Sequence, residues 1–283
     1  MSATMAKPPI PPPPKVPPPP ARSGNGLSSA NLSSVSESDG LLSLPEKVVI
    51  YGPGGVGKTE LVANLQHMGK TVKILDLDEG SHKHHVKRVR GINDWATLRA
   101  YVQDESKWED VDVICIDSLT RAEELAVAHT LEHVPHEKGH RVTSIEGYGF
   151  GKGFQHVYDT FLPLLADLDR HVRAGRSVVL ICHECVANVP NPAGDDFIRY
   201  EPRLQSPSSG KASIRHRVKE WCDHLLFIGY DVAVNSDGKG TGAGTRTIYP
   251  VELPTHWAKS RTLADPIVYR KGSFDLWTQL FGE

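Results

Sequence analysis

Residues 52–59 read GPGGVGKT and match the pattern G-x-x-x-x-G-K-[ST]. They follow the apolar run 47–51 and precede a helical run that starts at Lys58, so the pattern stands between a strand and a helix. In that setting a glycine-rich turn folds its backbone N–H groups around a phosphate, and the helix N-terminus adds the positive end of its dipole. The turn is therefore predicted to bind a phosphate chain through Gly52, Pro53, Gly54, Gly55, Val56, Gly57, Lys58 and Thr59. Within it, we expect Lys58 to reach the β- and γ-phosphates and Thr59 to bind Mg²⁺.

A second apolar run, residues 111–118, ends in the carboxylate of Asp117. Such a strand end, downstream of the glycine-rich turn, is typical of the second magnesium-binding element of nucleotide sites. We therefore expect Asp117 to bind Mg²⁺ directly or through water.

The amino-acid composition of the chain changes near residue 45. Ten of the first twenty residues are proline, and small polar residues dominate 23–40. Residues 1–44 are predicted to be a disordered tail, since such a composition cannot bury a core. A docking site for the aromatic groove of a partner is the alternative.

From residue 45 to 283, short β-rich runs alternate with helical ones, which predicts an α/β domain with a mostly parallel sheet flanked by helices. A β-hairpin over 229–253 and a short terminal helix over 273–281 complete it. The predicted strands are 48–51, 72–77, 111–116, 177–182 and 225–228. The predicted helices are 58–68, 94–104, 120–133 and 154–174.

Composition excludes several classes. No apolar run approaches the roughly 18 to 20 residues of a membrane-spanning helix, and the N-terminus lacks a signal-peptide pattern. Four cysteines in mostly apolar runs fit reduced thiols, so we expect a cytoplasmic protein with no membrane partner. The formal net charge of −2 gives no global attraction to nucleic acid, so such binding needs a local basic surface.

Three sequence features reduce the number of nucleotide hydrolase classes to which the chain could belong. The chain has no Asn/Thr-Lys-x-Asp run, which disfavours a GTPase. Pro53 occupies the position of the extra lysine of partition ATPases, and Ser118 follows Asp117 where ring-forming AAA+ motors usually have glutamate. A carboxylate that orients the attacking water must then come from elsewhere, and the second strand ends in Asp76-Leu77-Asp78-Glu79. The strand 177–182 leads into His183-Glu184, and it is predicted to insert between the strands of the turn and of Asp117.

These strand ends resemble the RecA-like P-loop ATPase core, most closely the phage-encoded RecA-like annealing and recombination ATPases. The resemblance implies ATP and Mg²⁺ as cofactors, subunits assembled as a homo-oligomer around single-stranded DNA, a single-strand binding protein as a further partner, and the host cytoplasm as the location. It places Asp78 near the catalytic glutamate of the family, with Glu79 beside it left open as the alternative. It places His183 and Glu184 at the γ-phosphate sensor.

Two segments are candidates for DNA contact. Residues 147–154 interleave glycine with aromatics, and Tyr148, Phe150 and Lys152 would offer stacking faces and a cation. The alternative is that the aromatics fold onto the core.

The second segment, 186–214, is predicted to be a long loop without regular structure. It leads into a basic stretch in which acids are nearly absent. Its DNA candidates are Arg199, Arg203, Lys211, Arg215 and Arg217. A solvated charged face is the alternative, and Lys211, Arg215 or Arg217 would otherwise reach the γ-phosphate of a neighbouring subunit.

The sequence thus predicts an ATP-hydrolysing, RecA-like protein that acts on single-stranded DNA in annealing or recombination. A P-loop ATPase with a protein or RNA client, or a nucleotide-dependent scaffold, remains open.

Overall fold

The computed structural model describes residues 37–40, 42, 44–234 and 240–282. The chain divides into two units, Met1–Leu42 and Ser43–Glu283. The predicted disordered tail lies almost wholly outside the described residues, and all elements below belong to the second unit.

The regular elements alternate along the chain as an α/β pattern predicts. The strands are β1 (Lys47–Tyr51), β2 (Val72–Asp76), β3 (Lys87–Val89), β4 (Val113–Asp117), β5 (Ser177–Cys182), β6 (Glu184–Val189), β7 (Phe197–Pro202), β8 (His224–Val234), β9 (Gly240–Tyr249) and β10 (Ile267–Tyr269). The helices are α1 (Lys58–Ala63), α2 (Trp95–Gln103), α3 (Leu119–His133), α4 (Lys152–Arg173), α5 (Ile214–Trp221) and α6 (Asp275–Phe281).

Eight strands form one sheet in the order β10-β9-β8-β1-β5-β4-β2-β3. The six strands from β8 to β3 run parallel, and β9 and β10 add an antiparallel edge. The prediction that β5 inserts between β1 and β4 is confirmed. Because parallel strands end at a common edge, the residues that follow β1, β2, β4 and β5 meet there.

The central strands are buried on both faces, as parallel strands covered by helices must be. Every residue of β4 and β5 is buried. One apolar cluster includes Leu98 of α2, Ala122 of α3 and Phe161 of α4, and the other includes Leu61 of α1 and Trp277 of α6. The core therefore lies in two layers, one on each face of the sheet.

Local signals set the helix ends. Asp94 caps α2, because its side chain accepts a hydrogen bond from the Thr97 backbone N–H at 2.8 Å. The predicted helix over 58–68 is regular only through Ala63, and a 3₁₀ turn, Asn64–Met68, completes it before Gly69.

The segment 186–214 was predicted to lack regular structure, and that prediction is wrong. Strands β6 and β7 pair antiparallel as a separate two-stranded sheet, and α5 begins at Ile214. Most of the Pro, Asn and Gly residues lie in the turn between β6 and β7 and in residues 203–213 after β7, and they masked the alternating runs of the two strands.

The predicted C-terminal hairpin and terminal helix are present as β8, β9 and α6, with residues 235–239 outside the described part of the chain. The Trp277 side chain is fully buried, and its Nε1 donates to the Leu61 carbonyl oxygen at 2.6 Å. The last helix therefore supports α1 directly. Across the described residues, no helix is long and apolar enough to cross a membrane.

Candidate nucleotide-binding site

The turn from β1 to α1 is held in a conformation that only glycine permits at two points. Gly57, the residue before α1, has φ 102°, in the left-handed region. Gly52 lies so close under β8 that an added Cβ would collide with the Ile228 carbonyl oxygen. These two glycines therefore let the turn adopt its conformation without a ligand.

Lys58 curls back over this turn. Its Nζ donates to the carbonyl oxygens of Gly52 at 2.6 Å and Pro53 at 2.9 Å. Burial lowers the pKa of Lys58, against the opposing charges of Asp117 and Glu184. The turn therefore contains a partly desolvated cation, which favours an anionic ligand.

Thr59 and Asp117 meet at the same edge, where the Thr59 hydroxyl donates to Asp117 Oδ2 at 2.6 Å. Burial raises the pKa of Asp117 to about 6, and the nearby carboxylates of Asp78 and Asp76 act in the same direction. Hydroxyl and carboxylate oxygens are the ligands that Mg²⁺ prefers, and a divalent cation would relieve the repulsion among the carboxylates. The residues present therefore fit a magnesium ion held by Thr59 and Asp117.

Asp76, at the end of β2, stabilises the turn that follows the strand. Its carboxylate accepts hydrogen bonds from the Gly80 N–H at 2.9 Å and from the Ser81 hydroxyl at 2.6 Å. These bonds fix the turn that carries Asp78.

Asp78 and His183 form a carboxylate–imidazole pair, with Asp78 Oδ2 at 2.9 Å from His183 Nε2. The backbone of His183 is fixed as well, because its N–H donates to Thr120 Oγ1 at 3.1 Å and its carbonyl accepts from the Arg203 N–H at 2.9 Å. The pair therefore joins the ends of β2 and β5 across β4.

Glu79, the alternative to Asp78, is placed differently. Its side chain is 65% exposed and lies 3.2 Å from Arg90. The two neighbouring carboxylates are thus separated, and Asp78 is the one that contacts His183.

Glu184 lies near Lys58, whose charge opposes the rise that burial causes in the pKa of Glu184. Its Oε2 is buried without a hydrogen-bond partner among the described residues. An unpaired buried acceptor beside the turn fits a group that contacts the bound ligand or its water.

Two residues that contact the turn were not predicted from the sequence. Arg246 of β9 donates from Nη1 to the Val56 carbonyl oxygen at 2.9 Å, and Tyr269 of β10 donates to the Gly57 carbonyl oxygen at 3.3 Å. No local motif marks either residue, because both reach the turn through the pairing of distant strands.

The residues proposed for DNA contact in 147–154 separate into an inner and an outer set. Tyr148 is 2% exposed, and its hydroxyl donates to the Thr130 and Val134 carbonyl oxygens, which fits the alternative of core packing. Phe150 is fully exposed, at a φ of 52° between two glycines. Lys152 pairs with Glu137 on the surface.

The basic residues near α5 are likewise of two kinds. Arg199 and Arg215 both pair with the buried carboxylate of Glu201, and Arg199 also pairs with Glu252, so both side chains are held against the fold. Arg203 lies 3.8 Å from Glu124 and Arg217 lies 3.6 Å from Glu220, both with about half of the side chain exposed. Lys211 is exposed, and no ion pair involves it among the described residues. The cations offered to solvent are therefore Arg203, Lys211 and Arg217.

Gln205 connects the two candidate DNA segments. Its side-chain Nε2 donates to the Phe154 carbonyl oxygen at 2.9 Å and to the Ala212 carbonyl oxygen at 2.8 Å. Gln205 thus ties the first turn of α4, which follows Phe150, to the turn that carries Lys211.

One protein family and two solved structures are similar to this chain. A family described as AAA domain, AAA_24, matches residues 44–262. A solved structure of the RadB recombinase aligns with this chain over 74% of this chain and 81% of its own, at 13% sequence identity and a TM-score of 0.40. A solved structure of a KaiC-like protein from the archaeon Pyrococcus horikoshii OT3 aligns with this chain over 74% of this chain and 80% of its own, at 11% sequence identity and a TM-score of 0.38. No curated protein matches by sequence. The glycine-rich turn lies at the carboxyl edge of a parallel sheet that has β5 inserted, which is the arrangement expected of a RecA-like P-loop protein. The family model covers more than half of the chain, and the chain belongs to the AAA domain family AAA_24.

Proposed function

We propose that this protein is a magnesium-dependent ATPase that acts on single-stranded DNA, in annealing or recombination of the kind found in phage-encoded RecA-like proteins. The observation that carries the hydrolytic part is the meeting of three groups at one sheet edge. These are Lys58 in the turn, the Thr59–Asp117 pair, and the Asp78–His183 pair.

The chemistry follows from these groups. Backbone N–H groups of the turn and Lys58 bind the β- and γ-phosphates, and His183 faces the γ-phosphate. Asp78 orients a water molecule and accepts its proton as the water oxygen bonds to the γ-phosphorus, while the bond from that phosphorus to the β–γ bridging oxygen breaks. A magnesium ion, when bound, neutralises charge on the phosphate oxygens.

The DNA part rests on the outer surface of the same edge. Phe150 offers an exposed ring for base stacking, and Arg203 and Lys211 offer exposed cations for the phosphate backbone. The Arg203 N–H is hydrogen-bonded to His183 of the hydrolytic pair, so DNA bound at Arg203 would act on the site through one residue. Assembly into a homo-oligomer, a single-strand binding protein as partner, and a host-cytoplasmic location belong to the same proposal.

A protein client is the second candidate, and a specific feature favours it. The outer face of the β6–β7 hairpin carries apolar side chains, with Val186 61% and Ile198 69% exposed. An apolar face near the site fits a polypeptide better than a polyanion.

The deciding experiment measures ATP hydrolysis and assembly state with and without single-stranded DNA, with Lys58→Ala as the inactive reference. We expect DNA to raise the rate or change the assembly, and the effect to weaken steeply with salt. A rate and an assembly state that DNA leaves unchanged would contradict the DNA part. A hydrolytic rate equal to that of Lys58→Ala would contradict the ATPase itself.

A further inference from the structure

Three antiparallel strands place one row of side chains against the phosphate-binding turn. Arg246 of β9 is directly opposite Tyr230 of β8 on one side and Tyr269 of β10 on the other. Residues opposite each other in an antiparallel ladder share a face of the sheet. The row therefore runs Tyr–Arg–Tyr across the edge of the sheet, beyond β1 on the side away from β5 and β4.

The row contacts the carbonyl side of the turn. Arg246 donates to the Val56 carbonyl oxygen at 2.9 Å, and Tyr269 donates to the Gly57 carbonyl oxygen at 3.3 Å. The Arg246 guanidinium also lies 4.5 Å from the centre of the Tyr269 ring, so the two donors hold each other in place. The Tyr230 hydroxyl would lie 3.9 Å from a Cβ added at Gly55.

The protonation states of the two donors, Tyr269 and Arg246, are fixed. Burial raises the pKa of Tyr269, and the nearby carboxylate of Glu60 acts in the same direction, so the hydroxyl keeps its proton. An arginine side chain stays charged at all working pH values. No carboxylate within the described part of the chain lies in ion-pair distance of Arg246. Its charge is thus directed at the turn.

A trans peptide group is planar, with its C=O and N–H pointing in opposite directions. Holding the carbonyl oxygens of Val56 and Gly57 outward therefore turns the N–H groups of Gly57 and Lys58 inward, toward the proposed phosphate site. At Gly57 the Tyr269 hydroxyl adds to the first hydrogen bond of α1, which comes from the Leu61 N–H at 2.9 Å. A charge-assisted hydrogen bond to a carbonyl also polarises the peptide and strengthens its N–H as a donor.

We infer that Arg246 and Tyr269 are positioning residues of the phosphate-binding turn, which preorganise two backbone donors for the phosphate chain of the nucleotide. The inference rests on the proposed nucleotide site and deepens it. It assigns the antiparallel edge of the sheet a part in phosphate affinity, and it leaves the hydrolytic pair on the other side of β1 unaffected.

The test compares Arg246→Met, Arg246→Lys and Tyr269→Phe with the wild-type protein. Two probes are titrated by calorimetry in magnesium buffer: ATP and inorganic tripolyphosphate, which lacks base and ribose. We expect Arg246→Met to weaken both probes about tenfold, the loss of one charge-assisted hydrogen bond. KM should rise in proportion while kcat stays within about twofold. Arg246→Lys should recover most of the affinity, and Tyr269→Phe should lose less than Arg246→Met.

The control is Arg261→Met, since Arg261 is an exposed arginine paired with Asp223, outside this row. Thermal unfolding without ligand shows whether each variant is folded at the assay temperature. Unchanged affinity for both probes in folded Arg246→Met and Tyr269→Phe would contradict the inference and leave the ATP site standing. Loss of ATP affinity with tripolyphosphate unchanged would contradict it also, because the row would then contact the nucleoside. A wild-type protein that binds neither probe would refute the nucleotide site itself, and this inference with it.

Discussion

His183 Nε2 and Asp78 Oδ2 lie 2.9 Å apart, although 105 positions separate them in the sequence. The pair exists because β4 lies between β2 and β5, so the residues after β2 and β5 flank the end of the strand that carries Asp117. It also distinguishes Asp78 from Glu79, which sequence reasoning left open.

For this pair, we expect Asp78→Asn to lower kcat by at least about 100-fold, because a positioned general base contributes about 10² to 10⁴. Nucleotide affinity should change little, since the turn is untouched. Glu79→Gln is the matched control and should keep the wild-type kcat, because Glu79 pairs with exposed Arg90. Steady-state hydrolysis with a parallel binding titration measures both. A larger loss in Glu79→Gln than in Asp78→Asn would reverse the assignment.

Lys58→Ala should abolish turnover and sharply weaken ATP binding, because it removes the cation held in the turn. Lys83→Ala, at an exposed lysine outside the site, should behave as wild type. Calorimetry with ATP checks affinity, and release of phosphate checks turnover. An unchanged rate in Lys58→Ala would rule out this site.

Gly57→Ala should destabilise the turn and remove most nucleotide affinity. A Cβ there would lie 2.8 Å from Arg246 Nη1, at a φ of +102°. Gly69→Ala is the control, since Gly69 also has a positive φ, +75°, but nothing lies within 4 Å of the added atom. Both variants should lose about 1 kcal/mol or more from backbone strain, and only Gly57→Ala should lose affinity. Equal nucleotide affinity in Gly57→Ala and Gly69→Ala would show that the contact between the added Cβ and Arg246 does not disturb the binding site.

Phe150→Ala should weaken single-stranded DNA binding by about 1 to 3 kcal/mol, the range for one stacked base, with no change in melting temperature. Tyr148→Ala should instead lower the free energy of unfolding by about 3 to 5 kcal/mol, since a large buried ring is lost. Fluorescence anisotropy with a labelled oligonucleotide and thermal unfolding separate the two effects. Phe150→Ala with full DNA affinity would exclude this ring from the DNA surface.

Glu123 predicts a pH dependence of stability. Burial raises its pKa from 4.5 to about 7, against the Gln205 N–H bond and the charges of Arg215 and Arg203, with Glu124 acting in the same direction as burial. The folded state therefore holds this proton more tightly than the unfolded state, so stability falls as pH rises from about 4.5 to 7 and is level above that. Glu123→Gln, which keeps an acceptor for Gln205, should be more stable than wild type at pH 8 by up to about 3 kcal/mol. The two proteins should match near pH 4.5.

Urea unfolding at pH 5 and pH 8 measures this difference. Glu109→Gln is the control, because Glu109 is exposed and forms no ion pair among the described residues, so its loss should change stability by at most about 0.5 kcal/mol. Lower stability of Glu123→Gln at pH 8 would mean that the charged carboxylate stabilises the fold.

The parallel core and the phosphate-binding turn could be predicted from the sequence because their signals are local. Continuous apolar runs mark β1, β4 and β5, and the glycine pattern fixes the turn between β1 and α1. The insertion of β5 was predicted from the strand arrangement of one branch of P-loop enzymes and not from a signal within the strand itself. The terminal helix followed from its apolar periodicity.

The features that sequence reasoning missed depend on contacts between distant residues. Arg246 and Tyr269 meet the turn only because the register of β8, β9 and β10 aligns them. Tyr148 and Phe150 stand in one aromatic and glycine pattern, yet the left-handed backbone at Phe150 turns one ring outward while the other is buried. The ion pairs of Glu201 likewise convert part of an apparently basic surface into a folded network.

Gln205 uses one amide nitrogen to tie the start of α4 to the turn before α5. If single-stranded DNA binds at Phe150 and Lys211 as proposed, this amide would couple the two contacts, because it links the backbone segments next to them.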